Sequence, residues 1–182
     1  MDIINHGIMR IHRMIFRSRE TKLIPVVRAG FIAVLYAAAT ILLQSISFGP
    51  VQVRVADALS PLPYIPRYGL YAVAGLVAGV LIANIVSPFG VYDIILGSLT
   101  NFIYGVIAWL IGRFMYPSKI GLLLVVAEEI VITTFFIGYV LMHIIYDIPL
   151  LVSIPGVMLG SVVSQGILGY LLTMMLIRRE KK

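Results

Sequence analysis

Five long apolar stretches are the feature of this sequence that most limits its fold. They cover residues 28–46, 69–87, 91–112, 120–142 and 150–177. Each approaches or exceeds the roughly 20 apolar residues that a helix needs to cross a bilayer. Of the 182 residues, 60% are apolar and 12% are charged, whereas soluble domains average about 45–50% and about 25%. The sequence therefore predicts an all-α integral membrane protein.

The basic residues predict the number of crossings. Ten of the fourteen Lys and Arg residues lie at the two ends of the chain. Basic residues favour the cytoplasmic side, so we expect a protein of the cell membrane with both ends in the cytoplasm. Two ends on one side require an even number of crossings. Segment 50–66 supplies a weaker sixth candidate, and counting it predicts a bundle of six transmembrane helices.

Three regions follow from this topology. Residues 1–25 form a basic cytoplasmic segment, residues 26–178 form the transmembrane domain, and residues 179–182 form a basic cytoplasmic tail. Isoleucines at positions 4, 8, 11 and 15 recur at helical spacing, which predicts a short amphipathic helix on the cytoplasmic leaflet. The alternative is a basic tail that only sets the topology.

Several classes of function lack their sequence signals. The chain has no cysteine, and it contains no HExxH, GxSxG or Walker A motif. We therefore expect no enzymatic activity, no cofactor, no metal site and no nucleic-acid partner.

A stripe of small residues runs along the first span. Ala29, Ala33 and Ala37 share one helix face, and small residues allow close approach of two membrane helices. The stripe either packs inside the bundle or docks another membrane protein. Spacing alone leaves both readings open.

Polar side chains at membrane depth are expensive and therefore mark functional candidates. In the six-span topology they collect in the outer half of the bundle, which predicts a pocket open to the outside and closed below. The candidate substrate-binding residues are Phe48, Gln52, Arg54, Asp57, Asn84, Asp93, Asn101, Glu128 and Gln165.

Each candidate has a structural alternative. Arg54 and Asp57 are three residues apart and are able to neutralise each other. Asp93 suits a helix N-terminus. Glu128 and Glu129 point about 100° apart around a helix, so only one of them faces a given pocket.

The run from Ser47 to Leu59, SFGPVQVRVADAL, with the later blocks Ala83-Asn84 and DIILGSL (93–99), resembles the QueT family over about residues 26–175. This resemblance implies a substrate-binding S-component of an energy-coupling factor (ECF) transporter for queuosine precursors. It also implies partners, namely a membrane T-component docked on the alanine stripe and two ATPase subunits.

The chain departs from the family pattern at three places. Asp57 stands where the pattern has Glu, Gly160-Ser161 replaces a Gly-Glu pair, and the acidic pair Glu128-Glu129 is additional. The expected function is capture of a 7-deazaguanine-like base from outside the cell. Its rivals are an S-component for another vitamin-like ligand, a proton-coupled secondary transporter using Asp57, Asp93 or Glu128, and a membrane scaffold without transport activity.

Overall fold

The computed structural model describes residues 23–48 and 52–180. The described chain contains five helices long and apolar enough to span a membrane. They are α1 (Leu23–Leu42), α2 (Gly69–Val86), α3 (Gly90–Met115), α4 (Lys119–Ile145) and α5 (Leu150–Glu180). All five predicted apolar stretches are therefore helical. The predicted amphipathic helix in residues 1–25 lies almost wholly outside the described residues, as does the end of the 179–182 tail.

Two helices change their winding halfway along. In α4 the segment Lys119–Thr133 is α-helical and Thr134–Ile145 is π-helical. In α5 the segment Val162–Gly169 is π-helical between two α-helical parts, Leu150–Ser161 and Tyr170–Glu180. π-Helical turns are rare and are frequently found at functional sites.

The prediction of a helix over residues 50–66 is wrong. The irregular segment (residues 52–68) contains only two short 3₁₀ turns, Val55–Leu59 and Leu62–Tyr64. It nevertheless runs from one end of the bundle to the other. Arg54 contacts Asp93 in the first turn of α3, whereas the Tyr64 hydroxyl donates to the carbonyl oxygen of Met115, the last residue of α3. We call these the Arg54 end and the Met115 end of the bundle.

Burial and internal hydrogen bonds allow this segment to remain non-helical. Asp57, Ser60, Tyr64 and Ile65 are all buried by the surrounding helices. The backbone N–H groups of these four residues all donate to carbonyl groups within the segment. Irregular backbone is tolerated at membrane depth only where protein or a cavity covers it. The described part of the chain thus combines five long helices with one covered, non-helical passage.

The alanine stripe of α1 packs inside the chain. Ala33 and Ala37 are buried, at 7% and 6% exposed. The interface partners are glycines of α2: a Cβ at Gly79 would lie 2.9 Å from the Ala33 carbonyl oxygen, and one at Gly75 would lie 2.6 Å from that of Ala29. α2 therefore covers Ala33 and Ala37 in this conformation, which favours packing inside the chain. Ala29 is half-buried, and docking of a partner on the face of Ala29, Ala33 and Ala37 stays a prediction.

Candidate functional site

Asp93 organises the Arg54 end of the bundle. It lies in the first turn of α3, where the helix dipole favours a carboxylate, and it is fully buried. Its Oδ2 atom accepts a hydrogen bond from the Ser87 hydroxyl at 2.5 Å and forms an ion pair with Arg54 Nη2 at 3.3 Å. Asn84 Nδ2 donates to the Asp93 carbonyl oxygen at 2.8 Å. Asp93 therefore fits both sequence interpretations, because it is a charge at a helix N-terminus and also part of the polar cluster.

Arg54 pairs with Asp93 and not with its sequence neighbour Asp57. Its guanidinium also lies over the Phe48 ring, 5.0 Å from the ring centroid. Phe48 is therefore half-buried against Arg54, and this contact occupies one ring face that the sequence interpretation assigned to a ligand. The Nε atom of Arg54 is enclosed and has no hydrogen-bond partner among the described residues.

Asp57 binds a residue that sequence reasoning missed. The hydroxyl group of Tyr36, on α1, donates to Asp57 Oδ1 at 2.5 Å, and Tyr36 is fully buried. Arg54 and Asp57 therefore do not pair with each other. Arg54 pairs with Asp93, and Asp57 accepts a hydrogen bond from Tyr36. A tyrosine in an apolar helix carries no pattern that distinguishes it from an interfacial aromatic residue.

Glu129 lies in the buried polar cluster. It is fully buried, and its Oε2 atom accepts a hydrogen bond from the Ser60 hydroxyl at 2.6 Å, whereas its Oε1 atom has no partner within the described chain. Glu128 as a whole is half-buried, but both of its carboxylate oxygens are also enclosed without partners in the described residues. The buried face of α4 passes through Leu122, Val125 and Glu129, which favours Glu129 as the acid that faces the cluster; a binding role for Glu128 stays a prediction.

Asn101 and Gln165 are both buried but differ in what they offer. Asn101 Nδ2 donates to the Gly97 carbonyl, and its Oδ1 atom accepts from the Tyr104 hydroxyl at 2.6 Å. Gln165 Nε2 donates to Thr133 Oγ1 at 3.0 Å, whereas its Oε1 atom is enclosed without a partner. Asn101 is therefore bonded within its own helix, and Gln165 keeps an acceptor available.

A small polar cavity lies between the irregular segment, α4 and α5. Its lining residues are Gln52, Arg54, Asp57, Thr133, Ile137, Val157 and Ser161. Its volume is about 20 Å³, which suffices for about one water molecule. Thr133 and Ile137 lie on either side of the point where α4 changes to π-helical winding, and Val157 and Ser161 precede the same change in α5.

Gly160 is the half of the Gly160-Ser161 pair that matches the family pattern, and Ser161 is the half that departs from it. A Cβ at Gly160 would overlap the Gln52 carbonyl group, so only glycine lets the irregular segment approach α5 this closely. The following Ser161 lines the cavity, where a longer acidic side chain would fill the remaining space.

The unpartnered atoms define what this site is able to bind. Buried polar groups are nearly always hydrogen-bonded. Here two donors and three acceptors are enclosed without partners in the described structure. Gln52 Nε2 and Arg54 Nε belong to residues that line the cavity, whereas Asp93 Oδ1, Glu129 Oε1 and Gln165 Oε1 belong to residues that contact Arg54, Ser60 and Thr133. This mixture suits a small polar molecule that both donates and accepts hydrogen bonds. Among the described residues no group of three side chains is arranged to hold a metal ion.

In the described residues, five helices long and apolar enough to span a membrane surround an enclosed polar cavity, which points to a helical membrane protein. A family model described as "QueT transporter" matches residues 26–178. The chain therefore belongs to the QueT transporter family, which confirms the resemblance seen in the sequence. No curated protein and no solved structure matches it.

Proposed function

We propose that this chain is the substrate-capturing S-component of an ECF-type importer and that it binds a queuosine precursor or a similar 7-deazaguanine base. Membership of a transporter family supports the general class. The observation that carries the binding proposal is the set of enclosed, unpartnered donors and acceptors on residues that line one cavity or contact the residues beside it.

The chemistry of the base matches this set. One edge of a 7-deazaguanine presents an amide N–H and an amine as donors, with a carbonyl acceptor beside them. A carboxylate accepts two such hydrogen bonds at once. Glu129 or Asp57 supplies that carboxylate, and Arg54 or Gln52 donates to the carbonyl oxygen. Gln165 offers an acceptor to a further donor of the base.

The structure describes a closed site. A cavity of about 20 Å³ is far smaller than the 300–1,000 Å³ usual for ligand pockets. Entry of a bicyclic base therefore requires the irregular segment to separate from α4 and α5 around Gln52. The backbone there lies directly on Gly160, so a movement of one element opens the cavity.

Two acidic neighbours provide a matched test. Glu129→Gln keeps size and removes the charged acceptor, so affinity for 7-deazaguanine should fall by about 5- to 150-fold, corresponding to about 1–3 kcal/mol. Glu128→Gln makes the same chemical change on the adjacent face of α4, without a contact to Ser60, and should alter affinity by less than about threefold. Binding of radiolabelled base to purified protein measures both.

Equal losses in the two variants would contradict the assignment of Glu129. Glu129→Asp, which keeps the charge but shortens the reach, separates a lost contact from a lost fold. It should stay folded, losing about 1–3 kcal/mol with the Ser60 contact, and should bind the base more weakly than the wild type. A Glu129→Gln variant that is stable and binds at wild-type affinity removes Glu129 from the site.

Uptake tests the transporter class. Proteoliposomes that contain the chain alone should bind the base but not accumulate it, because the S-component proposal requires a T-component and two ATPases. Accumulation should appear when these partners and internal ATP are supplied. Accumulation by the chain alone, driven by a proton gradient, would establish the rival secondary transporter, with Asp57 or Asp93 as the coupling carboxylate.

A further inference from the structure

A second cavity lies at the Met115 end of the bundle, at the opposite end from the Arg54 cluster. Its volume is about 430 Å³, within the range of ligand pockets. Its lining residues are Pro63, Tyr64, Pro66, Trp109, Gly112, Arg113 and Tyr116. The cavity lies where α3 and the irregular segment both end, so it sits at the expected boundary between lipid and water. The proposed import function makes no use of it.

Positive charge dominates this end. Arg113 lies over the Trp109 ring, 5.3 Å from its centroid, and takes part in neither of the two ion pairs that the described residues form. The other described basic residues here are Arg28, Arg67, Lys119, Arg178 and Arg179. The one described acid, Glu180, already accepts a hydrogen bond from Tyr116 at 2.6 Å and lies 3.9 Å from Arg67.

Aromatic side chains form part of the wall of this cavity, and hydrogen bonds hold one of them, Tyr64, in place. The Tyr64 hydroxyl group contacts the carbonyl oxygens of Met115 and Ser118, at 2.9 Å and 2.7 Å. Next to Arg113, the side chain of Phe114 is 85% exposed, as expected for a residue that faces acyl chains. Trp and Tyr prefer this membrane boundary, because each combines an apolar ring with a polar atom.

We propose that this cavity binds the headgroup of an anionic phospholipid such as phosphatidylglycerol. The Arg113 guanidinium pairs with the phosphate, a geometry for which arginine is well suited. Trp109 and Tyr116 pack against the glycerol region, and the acyl chains pass over Phe114. Basic pockets between transmembrane helices are known to take such headgroups.

The chain offers a built-in probe, since Trp109 is its single tryptophan. The purified protein is reconstituted into phosphatidylcholine vesicles that contain increasing fractions of phosphatidylglycerol with brominated acyl chains, which quench nearby tryptophan. Brominated phosphatidylcholine measures contact with bulk lipid. The wild type should be half-quenched at an about fivefold lower fraction of the anionic lipid, the ratio expected from one arginine near the surface.

Arg113→Gln should abolish this preference. Arg179→Gln is the matched control, because it removes the same charge from the same end without lining the cavity, and it should retain the preference. Arg113→Lys keeps the charge but loses the planar fork, so it should show an intermediate ratio.

Three results would overturn the proposal. The first is equal quenching by both lipids in the wild type, which would leave the cavity to a protein partner. The second is an equal loss in Arg113→Gln and Arg179→Gln, which would indicate a general surface charge effect. The third is a change of Trp109 emission with inorganic phosphate alone in phosphatidylcholine vesicles, without any preference for phosphatidylglycerol. That outcome would assign the cavity to a soluble anion.

Discussion

Replacing Asp93 by Asn tests whether the contact with Arg54 behaves as a buried ion pair. The side chains of Asp93 and Arg54 are 0% and 7% exposed, and the two charged atoms are 3.3 Å apart. Removing one partner leaves the other charge enclosed and uncompensated, which costs about 3–5 kcal/mol in buried pairs. Asp93→Asn should therefore lower the free energy of unfolding by about this amount, and the loss of the Ser87 contact adds to it.

The double variant Arg54→Gln/Asp93→Asn distinguishes the contribution of the ion pair from the cost of leaving one buried charge unpaired. Because it removes both charges together, no buried charge is left alone, and stability should recover by about 2 kcal/mol or more relative to Asp93→Asn. Arg67→Gln is the control within the same chain. Its ion pair with Glu180 is 3.9 Å long, and the side chains are 53% and 25% exposed, so its loss should cost about 1 kcal/mol or less.

Unfolding in mixed detergent micelles with increasing sodium dodecyl sulfate, monitored by circular dichroism, gives the free energies of the wild type, Arg54→Gln, Asp93→Asn, the double variant and Arg67→Gln. A cost for Asp93→Asn as small as that for Arg67→Gln would refute the reasoning. So would a double variant that loses the sum of the two single changes, because the charges would then not be coupled.

Three further predictions follow from single contacts. Gly79→Ala should lower stability by about 1–3 kcal/mol, because its Cβ would lie 2.7 Å from that of Tyr36. Gly30→Ala should instead be neutral or stabilising by up to about 1 kcal/mol, because nothing lies within 4 Å of its Cβ position. Thermal unfolding of both variants measures this difference in stability. Similar losses in Gly79→Ala and Gly30→Ala would contradict it. Burial and the hydrogen bond to Glu180 raise the pKa of Tyr116, which follows α3, to about 12, so Glu180→Gln should lower that pKa only in part in a tyrosine ¹³C NMR titration, because burial remains. An unchanged pKa would show that the carboxylate does not contact Tyr116 in solution.

The five helices could be predicted because bilayer thickness sets their length. Segment 50–66 could not be placed by the same rule. Its prolines, Pro61, Pro63 and Pro66, lack the N–H donors that a helix needs, and this argued against a helix. The hydropathy of the segment favoured a helix and decided the prediction. Whether an irregular passage survives at membrane depth depends on burial by all its neighbours, which no local pattern reports.

Much of the polar cluster was visible in the sequence, but its pairing was not. Arg54 contacts Asp93, 39 residues away, in place of Asp57, three residues away. The choice between Glu128 and Glu129 depends on the rotation of α4, and an apolar helix gives almost no contrast between its faces. The available signal was Thr133, which lies four residues beyond Glu129 on the same face.

The alanine stripe shows a similar limit. Small residues at Ala29, Ala33 and Ala37 correctly indicate close helix packing. The pattern does not identify the partner, because a helix of the same chain and a helix of another protein demand the same flat surface. The matching glycines, Gly75 and Gly79, lie at the same four-residue spacing on α2 and were the evidence for an internal contact.

Native mass spectrometry of the purified protein tests the central proposal most directly. Protein released from its micelle under gentle conditions should carry one bound molecule per chain, with the mass of a 7-deazaguanine base, and added base should occupy the chains that are empty. A Glu129→Gln sample prepared in parallel should carry much less. A bound molecule of another chemical class would contradict the substrate assignment, and a wild-type chain that takes up no base at saturating concentration would contradict the proposed function itself.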